Sequence, residues 1–216
     1  MDFLTQGCRA LGLACQPETL ARLGRYYEEL CRWNKKTNLV SARATPEDIL
    51  ELHFLDSLTL LPVADEQLLN TENTRLLDIG SGAGFPGLVL AMVRPELSVH
   101  LVEPRAKRAL FLRHMTRILT AKNTQVHEKR CEELPQEYGN SFHLVTSRAV
   151  GSTTWLLEAA RPFLCQDGVV VRMLGGKEEE DSGEIPAGFK TTPREKTCTL
   201  PFSGQNRRLL LYSLER

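Results

Sequence analysis

The run Leu76-Leu77-Asp78-Ile79-Gly80-Ser81-Gly82-Ala83-Gly84-Phe85-Pro86-Gly87 constrains the fold more than any other part of the chain. A short apolar stretch carrying one acid enters a turn with glycine at every second position, and Pro86 then stands where a helix can start. Glycine takes left-handed backbone conformations without a Cβ clash, so a strand that turns abruptly into a helix uses it there. Backbone N–H groups at the positive helix end would then face a ligand.

The rest of the chain after Arg75 repeats this alternation. SVHLVE, TQVHE, FHLVTS and GVVVRML are short apolar runs, and PGLVLAMV, RAKRALFLRHMTRIL and TTWLLEAARPFL are helical stretches between them. Strand–helix alternation predicts an α/β fold, a Rossmann-like, doubly wound and mostly parallel sheet. The tail RRLLLYSLE reads as one more strand, pairing antiparallel at or near an edge, and the polar GGKEEEDSGEIPAG before it reads as a mobile loop. Residues 1–61 read as a helical extension. Pro17 suits a first helical position, and Leu20, Leu23, Tyr27 and Leu30 recur at helical steps. Thr45-Pro46-Glu47-Asp48 opens a second helix that is expected to stop at Pro62. Residues 62–74 carry three acids and no base and are expected to be a connector to the cofactor-binding domain over 75–216.

Composition narrows the class. In 216 residues, 42% are hydrophobic and 25% charged, the balance of a folded globular protein and not of a disordered chain. Six cysteines stand singly with no C-x-x-C pair, which predicts reduced thiols and no metal site. No window approaches the ~20 apolar residues of a membrane span, and the start has no secretory apolar core, so a cytoplasmic protein without a membrane partner is expected. A monomer is the simplest expectation.

A net charge of zero, 27 bases against 27 acids, argues at first against a nucleic-acid partner. Along the chain the charges segregate. Residues 104–130 hold eight bases and one acid, residues 21–43 six bases and two acids, and residues 177–184 one base and five acids. The basic stretches, with Lys35, Arg105, Arg108 and Arg113, suit RNA phosphates; an ordinary solvated helix face is the alternative. Trp33, Tyr26 and Tyr27 could stack on bases or belong to the core.

Glu103 lies 23 residues after Gly80 at the end of the next strand, where a carboxylate can hold both hydroxyls of an adenosine ribose. A dinucleotide fingerprint spaces its glycines G-x-G-x-x-G; here the third comes one residue early and Phe85 takes its place. Asp78 also sits badly beside a pyrophosphate and would suit a cationic ligand such as S-adenosylmethionine. A tight turn with no ligand, a nicotinamide-dependent oxidoreductase and a non-catalytic RNA-binding module with a relic pocket remain as alternatives.

The D-x-G-x-G-x-G loop resembles that of class I S-adenosylmethionine-dependent methyltransferases. NKKTNLVSA, EDILELHFLDSL, DIGSGAGFPG, VRPE, KR-x-x-FLR and TSRAV, in order across roughly residues 20–175, more specifically resemble the bacterial glucose-inhibited division protein B family. The resemblance implies methylation of N7 of a guanosine in 16S small-subunit ribosomal RNA, on the RNA or the ribosomal particle. It implies that Gly80 and Gly82 approach the cofactor by backbone and Phe85 by packing, that Cys131 and Glu132 meet the adenine, and that Arg148 contacts the cofactor region. His53, Asp56 and Ser57 share one helix face and either close over the cleft or pack on the sheet domain; side chains stacked on one helix do not make a hydrolytic triad. The family's Lys-Gly after strand five is replaced by Gly175-Gly176-Lys177, which displaces the basic group by two residues. Guanine N7 has a lone pair and no proton, so no general base is expected.

Overall fold

Leu76 and Leu77 are neighbours in a strand, so their side chains leave it on opposite faces, and each joins a different apolar core. The computed structural model describes residues 2–70, 72–148, 151–175 and 183–215. Five parallel strands, β1 (Arg75–Ile79), β2 (Ser98–Val102), β3 (Thr124–His127), β4 (Phe142–Arg148) and β5 (Leu164–Gly175), pair with the antiparallel β6 (Arg194–Thr199) and β7 (Asn206–Ser213). The sheet order is β3-β2-β1-β4-β5-β7-β6. It runs outward in both directions from β1 and β4, and such a switch point opens a crevice at the carboxyl ends of the strands.

One face of the sheet is covered by the N-terminal helices together with α6 (Gly87–Val93) and α7 (Ala106–Ile118), the other by α8 (Thr153–Ala160) and the short turns after β3. The N-terminal helices are α1 (Asp2–Ala10), α2 (Pro17–Thr37), and α3 (Pro46–Ile49), which runs on through a π-helical stretch (Leu50–Leu55) into α4 (Asp56–Leu58). Thr45 and Asp48 form a reciprocal capping box at the start of α3. Tyr26 is fully buried, ring-stacked 5.4 Å from Phe85, with its hydroxyl donating to the Ala83 carbonyl, so it belongs to the core and not to an RNA surface. Trp33 likewise packs against Phe111 and His114.

Two sequence expectations need correction. Residues 62–74 are not a plain connector, because Leu61–Asn70 form a helix, α5. Pro62 stands in its first turn instead of ending the helix before it, and Leu61, Val63 and Ala64 are buried while Asp65 pairs with Arg94. The exposed Leu69 blurs the period that would have revealed this face. The tail strand β7 pairs antiparallel with β5 one place in from the edge, in line with the expectation; the edge itself is β6 (REKTCT), a polar strand without an apolar alternation to reveal it. The loop expected over residues 175–188 lies partly outside the described residues, and Lys177 with it.

Candidate functional site at the carboxyl edge of the sheet

The glycine turn is positioned from below. Gly80 and Ser81 donate their N–H groups to the Val102 carbonyl, and Gly80, Gly82 and Gly84 all have positive φ (72°, 56° and 94°). The third glycine serves packing: a Cβ on Gly84 would stand 2.4 Å from the Tyr26 hydroxyl. Asp78 is wholly buried beneath the turn. One carboxylate oxygen accepts from Gly87 N at 3.0 Å, and the other has no partner. Burial pushes its carboxyl up to about 7, against the pull of the Gly87 hydrogen bond.

Glu103 joins the turn to the next helix. Its two oxygens accept from Gly82 N at 2.9 Å and from Arg105 N at 2.8 Å, at the entrance to α7. A carboxylate offers about four lone-pair sites, so both oxygens keep acceptor capacity toward the cleft. The cleft is a cavity of about 490 Å³, within the range of small-molecule sites. Gly80, Glu103, Cys131 and Glu132 line it together. Arg105 and Arg108, expected on an RNA surface, line it as well. Trp155, in the first turn of α8, is a wall that sequence reasoning missed; an aromatic at helical spacing reads as core, and only its place just after β4 hinted otherwise.

The remaining expected residues lie elsewhere. Asp78 and Gly82 support the turn from beneath and beside it, and neither is among the residues that line the cavity. Phe85 points away into an aromatic stack with Tyr26 and His53, and the Arg148 guanidinium lies over its ring at 5.6 Å. Arg113 is on the surface, paired with Glu128, and Lys35 is exposed on α2.

Arg148 organises a second, smaller cavity of about 240 Å³, lined also by His53, Asp56, Met173 and Arg207. It pairs with Asp56 at 3.1 Å, and donates to the Leu52 carbonyl at 2.7 Å and to His53 Nδ1. The other Asp56 oxygen accepts from Arg207 Nε at 2.6 Å. Burial and then the Arg148 charge push His53 down to about 3, so its ring is neutral. Ser57 donates to the His53 main-chain carbonyl, which leaves no nucleophile–base–acid relay on this face. His53 sits in the π-helical stretch, an irregularity frequent at functional sites.

A glycine turn with a buried acid at the end of the next strand, at the switch point of a 3-2-1-4-5-7-6 sheet, is an arrangement that suits a nucleotide-derived cofactor. The family model GidB, described as rRNA small subunit methyltransferase G, matches residues 19–210. The chain belongs to the rRNA small subunit methyltransferase G family. Ribosomal RNA small subunit methyltransferase G of Desulfotalea psychrophila is 36% identical over 213 residues, covering 96% of this chain and 95% of that protein. The protein of the same name from Sorangium cellulosum is 39% identical over 207 residues, covering 91% and 85%. The fold is shared more widely: the crystal structure of a SAM-dependent methyltransferase from Aquifex aeolicus superposes with a TM-score of 0.54 at 18% identity, covering 83% of this chain and 97% of that one. Family membership sets aside the nicotinamide-dependent reading. Among the described residues, no helix is long and apolar enough to cross a membrane, and no three metal-ligating side chains cluster.

Proposed function

We propose that the chain transfers a methyl group from S-adenosylmethionine to N7 of a guanosine in 16S small-subunit ribosomal RNA, as a cytoplasmic monomer. The observation that carries this reading is the Glu103 carboxylate, which ties the glycine turn to α7 while keeping lone pairs free at a cavity of adenosine size. The residues present fit the cofactor. Glu103 would accept from the ribose hydroxyls, Cys131, Glu132 and Trp155 would flank the adenine, and the unpartnered oxygen of Asp78 favours a positive charge nearby. Bound S-adenosylmethionine supplies an electrophilic methyl group on a sulfonium.

The chain's own contribution is positional. Guanine N7 attacks with a lone pair, so no side chain has to remove a proton, and the neutral His53, with Nδ1 already taken by Arg148, is no candidate base. Holding nucleophile and methyl in line at near contact is worth up to about 7–11 kcal/mol. Arg148 and Arg207, fixed by Asp56 beside the cleft, would orient the flipped nucleotide and its phosphates. Arg105, Arg108, Lys35, His53 and Arg113 are proposed RNA contacts; the first two flank the cofactor cavity.

The test is incubation with methyl-labelled S-adenosylmethionine and small-subunit RNA, naked or assembled, followed by borohydride reduction and aniline scission at 7-methylguanosine. The expected result is label in the RNA with scission at one guanosine. Label without scission would overturn N7 as the target, and cofactor binding without label would overturn the RNA substrate.

A further inference from the structure

Of the six cysteines only Cys131 lines the cofactor cavity, and a separate pair meets at the far N-terminus. Cys8, in the last turn of α1, and Cys15, just before α2, have their sulfurs 3.4 Å apart and share a hydrogen bond. The intervening turn is closed by Leu13 N donating to the Cys8 carbonyl at 2.8 Å, with Gly12 at a φ of 71°, so the approach is built into the backbone. Cys8 is buried; Cys15 is half-buried, and with Thr5, Arg9 and Gly12 the pair lines a cavity of about 400 Å³ that admits a small reagent.

We propose that Cys8 and Cys15 form a peroxide-responsive thiol pair that closes reversibly into a disulfide. The two sulfurs have unequal roles. The hydrogen bond shared with Cys8, and then the Arg94 charge, lower the Cys15 thiol against the effect of burial; the same hydrogen bond and then burial raise Cys8. Cys15, deprotonated, attacks one oxygen of hydrogen peroxide. The O–O bond breaks, the departing hydroxide takes up the released proton as water, and Cys15 becomes a sulfenic acid. Cys8 sulfur then attacks the Cys15 sulfur, the S–O bond breaks, and the hydroxyl leaves with the Cys8 proton as a second water. Two thiols have lost two electrons and one peroxide has gained them; a dithiol reductant reverses the bond.

The location gives the bond a consequence. Gly7, beside Cys8, is pressed so closely on Leu55 that a Cβ there would lie 2.2 Å from its Cδ1, and Leu55 precedes the Asp56 that holds both arginines. A Cys8–Cys15 bond therefore fixes the end of α1, which packs on the segment that carries His53 and Asp56, to the start of α2.

The test exposes the reduced full chain to stoichiometric hydrogen peroxide, blocks remaining thiols with iodoacetamide and digests with trypsin. Cleavage after Arg9 separates the two cysteines, so residues 1–9 and 10–22 stay together only through a disulfide. The expected dominant oxidised product is that linked pair, lost on adding dithiothreitol, with a raised Tm before reduction. In Cys8→Ser, Cys15 is expected to stop at a sulfenic acid that dimedone traps, and in Cys15→Ser, Cys8 is expected to stay a thiol. Full iodoacetamide labelling of both cysteines after peroxide, linkage of Cys15 to another cysteine instead, or a lowered Tm would overturn the proposal.

Discussion

Around Gly80 and Glu103 the polar groups are main-chain N–H donors and one carboxylate that still has lone pairs to give. Around Asp56, less than a tenth exposed, the charges already satisfy one another: two arginines share one aspartate, and a neutral histidine accepts from one of them. On the proposed reading the first region is a cradle for a ligand whose groups complete it. The second is a pre-assembled ionic lattice, already paired within the protein, which suits holding a base in line with a methyl group. On the proposed reading, binding and alignment are carried by separate residues, so each is expected to be damaged without the other.

The largest effect is expected in the ionic lattice. Asp56→Ala leaves Arg148 and Arg207 without their shared counter-charge, and removing one partner of a buried ionic group costs about 3–5 kcal/mol. Urea unfolding checks this; a loss under about 1 kcal/mol would place the cluster with ordinary surface ion pairs. Next comes the turn itself. Gly84→Ala forces a Cβ against Tyr26 at a φ of 94°, and overpacking of this kind costs about 1–3 kcal/mol. Thermal unfolding reads that cost, and cofactor affinity of the folded protein is expected to hold, because Gly84 faces the core and not the cleft.

A smaller effect is spread over pH. The Asp78 carboxyl is raised to about 7 in the folded protein, so its contribution to stability is complete below the unfolded value near 3.8 and is lost as pH rises toward 7. The slope cannot exceed about 1.4 kcal/mol per pH unit for one proton. Asp78→Asn keeps an acceptor for Gly87 N and is expected to flatten this part of the profile; an unchanged slope in denaturant titrations from pH 4 to 8 would remove Asp78 as its cause. The smallest effect lies at the cleft mouth. Arg105→Ala is expected to lower the salt dependence of RNA affinity by about 0.7 in log–log slope, the value for one phosphate contact on a single strand. An unchanged slope would show that Arg105 serves the cofactor cavity alone.

The same contrast explains what was legible in the sequence. Asp78, the three glycines and Glu103 lie within one strand–turn–helix–strand unit, so their spacing announces both the fold and the cradle. Asp56 meets Arg148 and Arg207 across 92 and 151 residues, and no local pattern encodes such a meeting. Arg148, the last residue of β4, was legible as a candidate through the family resemblance, and its partner Asp56 was not, because it lies on a distant helix. Phe85 was read toward the cofactor, but a turn that must also seat Tyr26 and the helical extension directs it inward. Trp155 carried no local signal of its own, and β6 and α5 were hidden because polar edges and short apolar faces carry little periodicity.

The separation of cradle from lattice is tested most directly by titrating S-adenosylhomocysteine into the wild-type chain, Glu103→Gln and Asp56→Asn under one set of conditions, by calorimetry. Losing a charged acceptor at Glu103 is expected to weaken binding by about 1.5–3 kcal/mol, roughly 10- to 150-fold, while Asp56→Asn binds within about twofold of wild type and loses methyl transfer. Wild-type affinity in Glu103→Gln, or equal losses in both variants, would contradict the account.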